Sequence, residues 1–389
     1  MITTLSIANY RSLQDLVMPM GRLNLVTGPN GSGKSNIYKA LRLLAETAHG
    51  GVINALANEG GLESTYWAGP KEITESMRRG ETEVQGNHHN KNKRLKLGFA
   101  TDEFSYAVSL GITPPVPYPS AFDLDPEIKR EAIWQGPVYR KASGLVERVD
   151  ALVKVRNGRK WHVIHQHTPM FESIFTQVAD PTTVPEVLSL REFIKQWRFY
   201  DHFRTDADAP ARNPQLGTRT LVLSHDGADL AAALQTIIEI GDDAALEEAI
   251  DDAFPGAELT INVKDSGYFS LSFSQKGLLR PLTSKELSDG TLRFLLWVAA
   301  LLTPRPPPLM VINEPETSLH PELLPALAKL IIKASESSQV WVVSHAPLLI
   351  NALVASESCN ALQLKKHFGQ TSIVGQDLLS TPAWHWPDD

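Results

Sequence analysis

The segment Leu23 to Thr27 reads as a short buried strand, and a glycine-rich turn follows it. Beyond the turn, Ile37, Ala40, Leu41 and Leu44 recur at helical spacing, which predicts a strand, loop and helix in succession. The stretches RLKLGFA, FSYAVSLGI and LVKVRN alternate or are β-branched, so an antiparallel sheet wing is expected from about Arg94 to His167. Helical periodicity resumes in VPEVLSLREFIKQW and GADLAAALQTIIEIG and continues through DDAALEEAIDDAF, after which ELTINVK and YFSLSFSQK return to strand. The last third reads as a helix (Thr291 to Leu302), a Pro-rich loop, a strand (Leu309 to Ile312), a helix (Pro321 to Ser335), a strand (Val340 to Val343) and a final helix.

Strands alternating with helices imply a parallel α/β sheet. The first and last thirds are therefore expected to form two parts of one α/β domain, with the middle inserted: 1–93, 94–270 and 271–389. The polar segment Gly80 to Arg94 reads as an exposed loop. No fixed-period repeat or heptad array is present, which excludes a solenoid or a coiled-coil arm within this sequence.

Composition narrows the class without naming a function. The chain has 389 residues, 42% hydrophobic and 21% charged, as in an ordinary globular protein. With 37 basic and 44 acidic side chains the net charge is −7, so contact with nucleic acid or an anionic membrane would need a local patch. The single cysteine, Cys359, cannot form an internal disulfide and reads as a small core residue in a reducing compartment. The N-terminus lacks a signal-peptide pattern, and the longest apolar run, Phe294 to Leu302, falls far short of the ~20 residues of a membrane span. A cytoplasmic protein with no membrane partner is expected.

The most specific motif is GPNGSGKS, Gly28 to Ser35, which fits the phosphate-binding pattern G-x-x-x-x-G-K-[ST] and lies between a strand and a helix. Its glycines let backbone N–H groups converge on phosphates, Lys34 would reach the β and γ phosphates, and the Ser35 hydroxyl would ligate Mg²⁺. Asn30, Gly31, Ser32, Gly33 and Asn36 complete the nucleotide-binding set. In LMVINEPETSLHP, Glu314 follows a buried strand, where a carboxylate orients or deprotonates an attacking water. His345 ends the strand VWVVSH in the same way and is placed to hydrogen-bond a γ phosphate. In ELSDGTLRF, Ser288 and Gly290 open a helix and present a hydroxyl and free N–H groups to an anion.

The order of these segments resembles that of the ABC-type ATPases, specifically the RecF-like and SMC-like branch with its OLD-type and related AAA members. NYRSL at Asn9 to Leu13 is similar to that branch's N-terminal element, whose arginine contacts nucleotide phosphate and so implicates Arg11. By the same resemblance LSDGT is the ABC signature, NEPETSLHP a Walker B segment with its D-loop, and Ser344-His345 the switch histidine. The form E-P-E-x-S-L-H-P separates this branch from transporter ATPases, which disfavours a transporter subunit. The resemblance implies a P-loop ABC-type head with an antiparallel wing and a helical insertion. It further implies ATP and Mg²⁺ as cofactors and an ATP-dependent homodimer in which each nucleotide lies between the phosphate loop of one head and the signature of the other. DNA maintenance and phage defence both use such heads, and DNA or a separate effector protein remains an open partner. A nuclease module like that of OLD-type relatives is not expected, because only 44 residues follow His345.

Two departures stand out. Asn313 occupies the Walker B position that usually holds aspartate, although its amide oxygen can still accept from a magnesium-bound water. The Q-loop has no clear signature, and Gln177 in FESIFTQVADP is the candidate for that glutamine and its magnesium contact. An ATP sensor or scaffold that hydrolyses slowly or not at all is the alternative function. Three weaker constellations remain. His162, His165 and His167 read as a strand edge rather than a zinc site, the run His88 to Lys96 as a solvated loop rather than a nucleic-acid contact, and Asp123 and Asp125 carry no assigned role.

Overall fold

The computed structural model describes residues 1–70, 75–79, 81, 93–112, 121–122, 125–377 and 379–387. Most of the Gly80 to Arg94 loop, 88–92 of the basic run and Asp123 lie outside the described residues. The chain divides into two compact units, one of Met1–Met20, Gly28–Gln196 and Leu362–Asp389, the other of Gly21–Thr27 and Trp197–Ala361.

The first unit is built on an eight-stranded antiparallel sheet. Its strands run in the order Leu13–Pro19, Ile2–Tyr10, Leu95–Thr101, Phe104–Ile112, Pro126–Gln135, Gly144–Val149, Leu152–Asn157 and Lys160–His165. The wing read from the sequence is present, extended by two N-terminal strands that the sequence pattern did not announce. The helix Lys34–His49 buries Ile37, Ala40, Leu41 and Leu44, the stripe its spacing predicted. Inside the sheet, Glu131 and Arg148 form a fully buried ion pair at 3.2 Å, and the Tyr106 hydroxyl donates to Glu131 at 2.7 Å. The Ser173 hydroxyl (2.6 Å) and the Ile174 N–H (2.9 Å) supply further donors, so the buried carboxylate keeps its hydrogen bonds.

In the second unit four parallel strands run in the order Arg198–Tyr200, Leu309–Asn313, Gln339–Val343 and Leu23–Thr27. The runs LMVI and VWVV are apolar because both faces of a parallel sheet are covered. Val340 to Val343 pair with Leu23 to Val26, so the first and last thirds of the chain do share a sheet, and Arg198–Tyr200 adds a strand from the middle. Against this sheet packs a core that includes the helix Asp289–Leu301, buried from Leu292 to Leu301 on every side. The helices Leu230–Ile240, Asp243–Ala253, Leu324–Ser335 and Pro347–Val354 and the antiparallel pair Glu258–Val263 and Tyr268–Ser274 also belong to the unit. Among the described residues no helix is long and apolar enough to cross a membrane.

Candidate functional site

The phosphate loop belongs to the first unit. Gly33 ends it at φ 107°, in the left-handed region, and caps the helix Lys34–His49 without any side-chain acceptor. The helix therefore opens with backbone donors that an anion can use. Lys34 is almost fully buried, and its Nζ donates to Gly28 O at 2.6 Å and Pro29 O at 3.0 Å. The buried Ser32 Oγ has no hydrogen-bond partner, while Asn30, Gly31 and Ser35 are exposed. A buried ammonium, an orphaned hydroxyl and an uncapped helix start fit the phosphates of a nucleotide, and the exposed Ser35 hydroxyl fits magnesium.

Two residues the sequence did not single out hold this loop. Thr371, in the strand Gln370–Ile373, donates to Ser32 O at 2.8 Å and lies 2.7 Å from the Ser12 hydroxyl. Asn36 Nδ2 donates to the same Ser12 Oγ at 2.8 Å, and Thr371 N donates to Ser12 O at 2.8 Å. Ser12 is the serine of the NYRS element, so that element acts on the loop through Ser12. A Cβ on Gly33 would collide with Thr371 Oγ1, a second reason for glycine there.

Arg11 lies elsewhere in its surroundings. Its Nε and Nη2 donate to Glu59 Oε2 at 3.1 and 2.7 Å, alongside the Tyr10 hydroxyl at 2.7 Å. Burial works against its charge, but the hydrogen bonds and charge of Glu59 and Tyr10 together outweigh it and raise the guanidinium pKa. Gln177 ends the short helix Ile174–Gln177 and donates to Glu172 Oε2 at 2.7 Å. Its neighbour Thr176 packs at Gly50, the C-cap of the phosphate-loop helix. That helix has 16 residues. At ~1.5 Å per residue it is ~24 Å long, so Gln177 is roughly a helix length from Ser35 and out of reach of a metal held there. The expectation that Gln177 contacts nucleotide and magnesium is therefore corrected: FESIFTQ resembles a Q-loop by chain position only.

The second unit carries the candidate residues Glu314 and His345. Leu309–Asn313 and Gln339–Val343 are parallel neighbours with Asn313 opposite Val343, so the residues after them emerge at one end of the sheet. Glu314 N donates to Val343 O at 2.8 Å, which prolongs the ladder, and the chain then turns with Glu314 at φ 48° and Ser318 at φ 61°. Such left-handed conformations cost ~1–3 kcal/mol each and persist where surrounding contacts fix them. His345 Nε2 lies 3.1 Å from Glu314 Oε1, joining the two strand-end residues read from the sequence. Glu316 was not singled out. Its Oε1 accepts from Ser344 Oγ (2.8 Å), His345 N (2.6 Å) and Ala346 N (3.1 Å), fastening the histidine turn to the NEPE turn.

Ser288 caps the helix Asp289–Leu301 by accepting from Thr291 N at 3.1 Å, as its motif predicted. Gly290 lies in the first turn, and an added Cβ would stand 3.2 Å from Ser318 O. The turn before the helix is held by Arg212, a buried residue the sequence did not flag. Its Nη1 donates to Ser284 O (2.9 Å) and Leu287 O (2.8 Å), and its Nη2 to Asp289 Oδ1 and Thr205 O, both at 2.7 Å.

The remaining candidates are quickly placed. His162 and His165 lie on the edge strand Lys160–His165, and no group of three or more His, Cys, Asp or Glu side chains gathers as a metal site among the described residues. Cys359 is partly buried against the second unit's core, where burial raises its thiol pKa.

Residues 156–351 match the family model described as "AAA domain, putative AbiEii toxin, Type IV TA system", and residues 1–108 match the model described as "AAA ATPase domain". A stretch of 44 residues is 41% identical to an OLD nuclease of Thermus scotoductus, covering 11% of this chain and 8% of that protein, so the match spans a small part of that relative's length. Among solved structures, an SMC head bound to the C-terminal winged-helix domain of ScpA aligns over 97% of this chain and 98% of its own, with TM-score 0.52 and 13% identity. The SMC head domain from Thermotoga maritima aligns over 97% and 99%, with TM-score 0.48 and 12% identity. The fold is thus the mixed α/β fold of the SMC head, a P-loop ATPase fold with a large antiparallel sheet. Because the first family model covers half of the chain, the protein belongs to that AAA-domain family.

Proposed function

We propose that this chain binds and hydrolyses ATP and works as an ATP-gated dimeric switch in DNA maintenance or phage defence, with DNA or a separate effector protein as its partner. The observation that carries hydrolysis is the Glu314–His345 contact at 3.1 Å, set by two parallel strand ends and the grip of Glu316 on the histidine turn. The family match and the phosphate loop support the nucleotide. In this reading Lys34 leaves the Gly28 and Pro29 carbonyls for the β and γ phosphates, while the N–H groups of the loop and of Ser35 and Asn36 bind phosphate oxygens. Ser35, with Asn313 accepting from a coordinated water, would hold Mg²⁺, which offsets phosphate charge. Glu314 takes a proton from the attacking water, and His345 donates to the γ phosphate. Ser288 and Gly290 serve the nucleotide of a facing copy.

The second reading, a sensor that holds ATP and barely turns it over, is favoured by Asn313, which lacks the carboxylate usual beside the metal. Phosphate release at steady state separates the two. Turnover that Lys34→Ala abolishes, and that Glu314→Gln abolishes while ATP stays bound, supports the enzyme. Tight ATP binding with no release from the unaltered protein supports the sensor. Unchanged nucleotide affinity and turnover in Lys34→Ala removes the phosphate-loop assignment.

A further inference from the structure

One face of the helix Asp289–Leu301 follows the turn after Glu314 position by position. Gly290, Arg293 and Trp297 are spaced i, i+3 and i+7, which places them in a single stripe. The stripe meets three successive parts of the turn in antiparallel order. Gly290 approaches Ser318 O so closely that a Cβ would stand 3.2 Å away. Arg293 Nη1 donates to Thr317 O at 2.7 Å, and Trp297 Nε1 donates to Pro315 O at 3.1 Å. Pro315 is bonded directly to Glu314.

The same helix is tied at its front end. Arg212 holds Leu287 O and Asp289 Oδ1, and its Nε and Nη2 both donate to Thr205 O, at 2.9 and 2.7 Å. Arg293 Nη2 returns to the same residue through Thr205 Oγ1 at 3.2 Å and to Phe203 O at 2.9 Å. Two buried arginines therefore share Thr205, one fixing the LSDGT turn and the other the turn after Glu314. Burial lowers the Arg293 pKa, and its bonds here go to carbonyl and hydroxyl oxygens and, at 3.5 Å, to His202 Nε2. Its two terminal nitrogens thus bracket separate backbone segments, while its buried Nε has no hydrogen-bond partner.

We infer that Arg212, Arg293 and Trp297 are positioning residues that make the LSDGT turn and the turn carrying Glu314 move as one body. This inference rests on the proposed reading of the chain as an ATPase with a signature at Ser288. A phosphate engaged by Ser288 and Gly290 displaces the front of the helix, and the stripe passes that displacement to Pro315, Thr317 and Ser318. Glu314, already held at φ 48°, is reset with them. The tie lies within one chain, so what the signature touches is felt at that chain's own glutamate.

The test is a double-mutant cycle between Ser288→Ala and Trp297→Phe, with Arg293→Lys as a second partner should the tryptophan variant unfold. Trp297→Phe keeps an aromatic ring and removes the Nε1 donor together with the indole's second ring. Its kcat should fall at least about five-fold while ATP affinity stays within about two-fold, and Ser288→Ala should cost at least about three-fold less in that background than alone. Amide exchange over 314–320 reads the same tie without turnover: Ser288→Ala should speed it in the parent protein and add nothing in Trp297→Phe. Unchanged kcat in a folded variant, or effects of the two substitutions that simply multiply, overturns the inference. Absence of phosphate release from the unaltered protein would instead overturn the ATPase reading, and the exchange measurement would still decide whether the two turns are tied.

Discussion

Glu314 holds φ at 48°, a conformation that a side chain with a Cβ adopts only under constraint, and each constraint can be named. Its N–H is pinned to Val343 O, the next residue's carbonyl to the Trp297 indole, and its carboxylate to His345. Glu316, two residues on, secures the far side of that last contact. Replacing Glu316 by alanine leaves Ser344 Oγ and His345 N without their acceptor and Ala346 N with Ser344 Oγ alone, at a cost of ~1–3 kcal/mol for the turn. In Glu316→Ala, kcat should fall more than about ten-fold while ATP binding through the phosphate loop is kept, as equilibrium binding beside phosphate release would show. Turnover at the parental rate would mean that the His345 turn holds its place without Glu316.

Among the elements, the strand Gln370–Ile373 is the one whose function was least visible. Thr371 is 1% exposed and joins Ser12, 359 residues earlier in the chain, to the phosphate loop. Thr371→Val keeps the shape but removes the donor to Ser32 O and the partner of Ser12, so the protein should lose ~1–3 kcal/mol and its KM for ATP should rise. Thermal unfolding and ATP titration check the two effects, and an unaltered KM would show that the loop keeps its form unaided. Elements whose evidence is local were legible. Helical stripes such as Ile37 to Leu44 and apolar runs such as LMVI and VWVV declare themselves within a few residues, and the phosphate loop is complete in eight. Those that exist through distant partners were not: the N-terminal strands Ile2–Tyr10 and Leu13–Pro19, the hairpin of Cys359–His367 with Gln370–Ile373, and the three-residue strand Arg198–Tyr200. The same holds for Ser12, Thr371, Glu316, Arg212 and Arg293, whose roles are hydrogen bonds to segments remote in sequence and carry no residue-type signature. Gln177 shows the converse error, because position along the chain placed it near the metal and the packing of Thr176 at Gly50 moved it away.

At the scale of the whole molecule, the proposed switch makes each catalytic site from two copies, and this is where the account is most exposed. Lys34→Ala damages a site through its own phosphate loop, whereas Ser288→Arg damages the site of the facing copy by setting bulk and charge against the γ phosphate. Each variant alone should be inactive. A heterodimer of the two holds one site that has lost both elements and one that keeps an intact phosphate loop and an intact signature. The decisive measurement is therefore phosphate release from ATP by an equal mixture of the two variants beside each variant alone. Two inactive proteins that regain turnover on mixing are the predicted result. Near-normal turnover by Ser288→Arg alone, with no gain on mixing, would contradict it and leave a head that hydrolyses as a monomer.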